Sequence, residues 1–138
     1  PRAILSCLTG KKFILDGGGI SKRCFIHSDD LVESMKLLLF KTDIYSEYNF
    51  SGDEEISIAN LIKMICDITN VDYKKVVEIG PERPGKDMYY RLDCNKALKN
   101  LSWEPKVKLK EGIQRTVEWI ERNIGKLSKS NWNYIHQE

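Results

Sequence analysis

Three consecutive glycines, Gly17, Gly18 and Gly19, stand between two β-prone runs at residues 13–15 and 23–27. Residues without a Cβ enter left-handed backbone readily, so a strand does not continue through such a triplet and the chain must turn there. Clustered glycines also build dinucleotide-binding loops, but those need an amphipathic helix directly after the glycines. A strand-like segment follows here. The triplet therefore predicts strand, hairpin-type turn, strand, with no cofactor-binding role.

Downstream, Asp29 and Asp30 precede Leu31, Val32, Met35, Leu38 and Leu39. That i, i+1, i+4, i+7, i+8 stripe predicts a helix whose first amides the two carboxylates cap. Residues 47–50 read as a short strand ending at Ser51-Gly52, and Ser57 as the cap of a helix burying Ile58, Leu61, Ile62 and Ile65. A strand at 76–79 runs into Pro81-Glu82-Arg83-Pro84-Gly85-Lys86-Asp87, a loop whose prolines fix φ and whose glycine permits close backbone approach. Asp93 is placed to cap a helix through Leu98, and Ile113, Val117 and Ile120 mark one face of a last helix over 109–123. Residues 1–125 are read as one domain and 126–138 as a polar tail carrying Trp132 and Tyr134.

Composition removes several function classes. With 22 Lys and Arg against 20 Asp and Glu, the net charge of +2 gives no field that would draw nucleic acid or a membrane surface. The longest apolar run, residues 37–40, is far below the roughly 20 residues a membrane span needs. No signal peptide opens the chain, so a cytoplasmic protein is expected. Cys7, Cys24, Cys66 and Cys94 form neither a CxxC pair nor a zinc-ligand spacing; reduced, structural thiols and no metal site are expected. His27 and His136 lack an HExxH context, no serine sits in a GxSxG elbow, and no tyrosine is followed four positions later by lysine. No catalytic residue is assigned. What remains is a pair of loop cations, Arg23 and Arg83, whose guanidinium forks suit the oxygens of a diphosphate. The plain alternative is that each pairs with a carboxylate, Asp29, Glu82 or Asp87.

The order of segments narrows this choice. Asp16-Gly17-Gly18-Gly19, Arg23-Cys24-Phe25-Ile26-His27-Ser28-Asp29-Asp30, Tyr48-Asn49-Phe50-Ser51-Gly52, Arg83-Pro84-Gly85-Lys86-Asp87 and Leu101-Ser102-Trp103-Glu104-Pro105 follow one another. Together they resemble the carboxy-terminal part of extended short-chain dehydrogenases, and most of all the dTDP-glucose 4,6-dehydratase family of lyases, whose loop reads Arg-Pro-Gly-His-Asp. The resemblance implies a small mixed α/β substrate-binding lobe of the NAD(P)-binding Rossmann-like superfamily, with the Rossmann core absent from these residues. Pro1 stands where an initiator methionine would, and a fragment of a longer enzyme is expected.

In that family an upstream Rossmann domain binds NAD and supplies the proton-transfer residues. C4 of the sugar is oxidised, water is lost across C5 and C6, and the hydride returns to C6. The lobe holds the nucleoside-diphosphate sugar. By position the resemblance assigns Arg23 and Arg83 to the pyrophosphate, with Glu82, Pro84, Gly85 and Lys86 in the same loop and Lys86 in place of the family's histidine. Ile14, Leu15 and Asp16 match the segment flanking the base, Asp16 standing where an aromatic residue is common, and Ser57 falls near another nucleotide contact. Asp30, Asn49 and Trp103 match structural positions: a helix cap, a strand end and a core anchor. Two alternatives stay open: a UDP-sugar 4-epimerase or UDP-glucuronate decarboxylase of the same superfamily, and a stand-alone nucleotide-binding or protein-interaction module without a reaction. Parted from the upstream domain, the 47–50 strand and the stripe from Leu31 to Leu39 are expected to be exposed and to favour self-association.

Overall fold

The structure, a computed structural model, describes residues 1–41 and 46–129. Its elements in chain order are α1 (Arg2–Thr9), β1 (Phe13–Asp16), β2 (Lys22–Cys24), α2 (Ser28–Lys41), β3 (Glu55–Ser57), α3 (Ile58–Ile68), α4 (Tyr73–Val76), β4 (Val77–Gly80), β5 (Tyr89–Tyr90), α5 (Asn95–Leu101) and α6 (Leu109–Leu127). They form two units, each built from separated segments: Pro1–Gly18, Ala59–Arg83 and Ile113 onward in the first, Gly19–Ile58 and Pro84–Gly112 in the second.

In the first unit β1 and β4 pair in parallel, from Phe13 opposite Val77 to Asp16 opposite Gly80. Parallel pairing needs a long crossover, and this one contains β2 through α4. The apolar interior draws on Ala3, Ile4, Leu5 and Cys7 of α1, Leu15 of β1, Ile62, Ile65 and Cys66 of α3, and Ile113, Val117 and Ile120 of α6. The α6 stripe is the one that its spacing predicts, although the helix runs on to Leu127, past the predicted start of the tail. Trp132 and Tyr134 lie outside the described residues. The Cys7 and Cys66 thiols meet at 3.8 Å inside this unit. Burial, followed by the neighbouring Cys7 thiol, pushes the Cys66 thiol from its ordinary 9.0 up to about 12. All four cysteines are free thiols.

The second unit centres on β2, which pairs antiparallel with β3 and parallel with β5. Ala97, Leu101 and Trp103 form its core, with Ile26, Leu37, Leu38, Tyr48, Phe50 and Cys94 packed around them. Phe50 meets the Trp103 ring edge-on at 4.8 Å. Trp103 is thus the core anchor that the sequence predicts.

Several expectations change. The glycine triplet does not make a hairpin, because β1 and β2 lie in different sheets. All three glycines are left-handed, at φ 56°, 68° and 66°, which winds one short left-handed turn instead of reversing the chain beside itself. Residues 47–50 are not a strand: no described strand borders them, and Tyr48 and Phe50 turn towards Trp103 instead. Asn49 is therefore not a strand end; its side-chain amide donates to the Asp93 carbonyl at 3.4 Å. The strand predicted at 76–79 lies at Val77–Gly80, with α4 directly before it. The cap position of α5 falls on Cys94, not Asp93, whose carboxylate accepts the Asn95 amide at 2.9 Å from one residue earlier, and the helix reaches Leu101.

Asp30 is structural but does not cap its own helix. Buried at 5% exposure in the first turn of α2, it accepts the backbone N–H groups of Lys106 (3.1 Å) and Val107 (3.0 Å), while its carbonyl accepts Trp103 Nε1–H at 3.3 Å. This single residue fastens the loop before α6 to α2. The helix stripe is exposed, as expected: Leu31, Val32 and Met35 are partly exposed and Leu39 reaches 78%.

Two outcomes test this packing. Asp30→Ala leaves two backbone donors without their acceptor and should cost about 2–4 kcal/mol, read as a lower urea midpoint; an unchanged midpoint would remove Asp30 from its anchoring role. Folding favours the protonated Cys66 thiol, so its stabilisation is full below pH 9.0 and lost as the pH rises towards about 12. Iodoacetamide at pH 8 should therefore label Cys66 far more slowly in the folded protein than in urea, by peptide mass mapping; equal rates would count against a buried thiol.

Candidate functional site

In the first unit, parallel pairing sets Asp16 at the end of β1 opposite Gly80 at the end of β4, and the chain reaches Arg83 three residues later. Arg83 Nε lies 2.9 Å from Asp16 Oδ2. The partner is thus Asp16, not one of the carboxylates close in sequence that the plain alternative named. Glu82 instead accepts the Arg83 backbone N–H at 3.0 Å. Its carboxylate lies where a Cβ on Gly17 would fall, so the first glycine of the triplet makes room for this loop. Of the segment assigned to the base, Ile14 is half exposed, but Leu15 is buried at 2% and has only its backbone to offer a ligand.

Arg23, in the second unit, has a different environment. Nη1 donates to the Lys22 carbonyl at 2.6 Å and Nη2 to the Asp87 carbonyl at 2.7 Å, and the guanidinium lies 6.0 Å from the Tyr90 ring centre. Among the described residues no carboxylate pairs with it. Its charge is fixed in place by neutral acceptors and stays uncompensated, the condition under which a guanidinium attracts an anion most strongly. Pro84 and Gly85 are exposed beside this segment and Lys86 is half-buried, while Ser57, the last residue of β3, stands opposite Lys22. Tyr89 and Tyr90 on β5, exposed and lying by Lys22 and Arg23, belong to this surface although the sequence reading passed over them. Their signal was an aromatic pair one residue beyond the Arg83–Asp87 segment.

The second unit also holds a cleft of about 570 Å³, bounded among others by Cys24, Ser51, Arg91, Cys94, Trp103 and Pro105, and none of the predicted site residues lines it. Burial raises the Cys94 thiol there, which works against a thiolate nucleophile. At its rim the Lys108 ammonium hydrogen-bonds Asp53 and holds that carboxyl below its ordinary value. His27 accepts the Asp29 N–H on Nδ1 at 3.1 Å. Among the described residues no group of three or more metal-ligating side chains comes together, and no helix is long and apolar enough to cross a membrane.

Known proteins show the same architecture. A crystal structure of dTDP-glucose 4,6-dehydratase from Bacillus anthracis in complex with NAD superposes with a TM-score of 0.83 at 28% identity, over 91% of this chain and 40% of that one. UDP-glucose 4-epimerase from Thermotoga maritima, with UDP-glucose, gives 0.81 at 30% identity over 89% and 39%. In sequence, the dTDP-D-glucose 4,6-dehydratase of Mus musculus is 30% identical over 129 residues, 90% of this chain and 36% of its own length. This α/β fold is that of the carboxy-terminal lobe of an extended short-chain dehydrogenase. The chain belongs to the GDP-mannose 4,6 dehydratase family, whose sequence pattern matches residues 1–116. It spans between 18% and 39% of the length of the first curated relatives it matches.

The glycine turn offers a direct test. Alanine at either Gly17 or Gly18 incurs the roughly 1–2 kcal/mol cost of left-handed backbone, but only at Gly17 must a methyl also displace Glu82, with loss of about one further hydrogen bond. Calorimetric melting should therefore fall further for Gly17→Ala than for Gly18→Ala, and equal shifts would contradict the assigned contact.

Proposed function

We propose that this chain is the part of an NAD-dependent nucleotide-sugar 4,6-dehydratase that grips the nucleoside diphosphate of its substrate, with dTDP-glucose as the leading candidate. The observation that carries the reading is the uncompensated Arg23 guanidinium: two of its five N–H groups are engaged by carbonyls and three remain for phosphate oxygens. Arg83 is engaged through Nε, which leaves the four N–H groups of its terminal nitrogens for the same use. The family resemblance further assigns Ile14, Asp16, Ser57 and Lys86 to the nucleotide. The names of the relatives support the reaction class, and the four free thiols fit a cytoplasmic protein.

The glycine triplet leads into β2 and opens no helix, so these residues do not fit a dinucleotide site, and NAD is assigned to residues outside this chain. The role of the chain itself is binding and orientation. Holding the diphosphate restricts the sugar at a distance, so that binding energy remote from the reacting carbons lowers the barrier there. The likeness to a UDP-glucose 4-epimerase supports a second reading within the superfamily. The product separates the two, a 4-keto-6-deoxy sugar for a dehydratase and a C4 epimer for the other. We also infer that α2 favours self-association through Leu31, Val32, Met35, Leu39 and Phe40, the last two exposed at 78% and 84%. A monodisperse monomer by light scattering at high concentration would refute that.

These 138 residues alone should neither turn over dTDP-glucose or UDP-sugars nor bind NAD tightly, and turnover without added protein would sink the assignment. Charge-assisted hydrogen bonds contribute about 1.5–3 kcal/mol each, so Arg23→Ala and Arg83→Ala should each weaken dTDP binding about tenfold or more in calorimetric titration. Unchanged affinity in both variants would exclude the diphosphate role.

A further inference from the structure

We propose that Asp16 is a positioning residue for Arg83: it holds the guanidinium by Nε so that both terminal nitrogens face a bound nucleoside diphosphate. The inference rests on the diphosphate reading of Arg83 given above. Its geometric basis lies entirely in the first unit. The β1–β4 register delivers Asp16 to the strand end from which the Arg83 loop departs. Gly80, its neighbour across the ladder, makes room for Ile14: a Cβ there would lie 2.6 Å from Ile14 Cγ2 and at ordinary contact distance, 3.4 Å, from Asp16 Oδ1.

The contact is specific in which nitrogen it takes. A carboxylate that met Nη1 and Nη2 together would occupy the fork that phosphate oxygens need. Asp16 Oδ2 takes Nε at 2.9 Å and leaves that fork alone. Glu82, beside Arg83 in the loop, accepts the Arg83 backbone N–H and so fixes the main chain while Asp16 fixes the side chain.

Stability is a poor explanation of this pair. Asp16 and Arg83 are 35% and 51% exposed at their side chains, and ion pairs so exposed contribute little to folding. Orientation is a better one. A long arginine side chain has many rotamers, and a ligand that meets it already ordered does not have to order it. A carboxylate at a position assigned to the base flank then acts on affinity through the phosphate end.

The test is calorimetric titration of the protein with dTDP in four forms: unaltered, Asp16→Asn, Arg83→Ala, and the double variant, with the melting temperature of each. Asp16→Asn is expected to weaken binding about threefold to tenfold at unchanged melting temperature, and to have no further effect once Arg83 is alanine, since groups that act through one contact are not additive. Binding by Asp16→Asn as tight as that of the unaltered protein overturns the positioning role and leaves the diphosphate reading standing. Equal weakening by Asp16→Asn in both arginine backgrounds also overturns it, because Asp16 would then act independently of Arg83. No binding by the unaltered protein, or no effect of Arg83→Ala, overturns the diphosphate reading of Arg83 and this inference with it.

Discussion

Parallel pairing of β1 with β4 is the constraint from which the arrangement of the first unit follows. A parallel partner cannot be reached by a tight turn, so the chain must leave the end of β1, build other structure and come back beside it. The left-handed glycine turn is the exit and the α4–β4 junction is the return. The same register puts Asp16 and the Arg83 loop at one strand end. The Asp16–Arg83 ion pair and the sheet are therefore consequences of one pairing.

Whatever depends on local periodicity was legible in the sequence. The stripes of α3 and α6 are internal to each helix, and Ile62, Ile65, Ile113, Val117 and Ile120 are buried as their spacing requires. Trp103 as an anchor and the exposed stripe of α2 were legible too, the family resemblance contributing to both. Strand pairing was not. Residues 47–50 have strand-like side chains but no neighbouring strand, whereas β3 and β5, of three and two residues, are too short to show alternation and exist because β2 lies between them. The Asp16–Arg83 pair stayed hidden for a related reason: carboxylates near in sequence are the obvious partners, and only the β1–β4 register brings a distant one closer. Asp30 shows the same limit, since a helix-start aspartate reads as a cap until the loop at 106–107 is seen to need an acceptor.

The two arginines that the sequence treated alike are held differently. Carbonyl acceptors fix Arg23 without cancelling its charge, whereas a carboxylate steers Arg83 and cancels part of its field. For a polyanionic ligand this is a division of labour. Under the proposed diphosphate role, Arg23 is suited to attraction at long range and Arg83 to direction at short range.

The crossover between β1 and β4 also sets a schedule. During synthesis α1 and β1 emerge before β4 and α6, and their apolar residues Ala3, Ile4, Leu5 and Leu15 have no completed interior to enter until those later elements have left the ribosome. Bringing the ends of so long a loop together adds an entropic cost that no early local contact offsets. Residues made early in this unit are thus buried late, and until β4 and α6 arrive α1 is a client for any chaperone that binds short apolar segments.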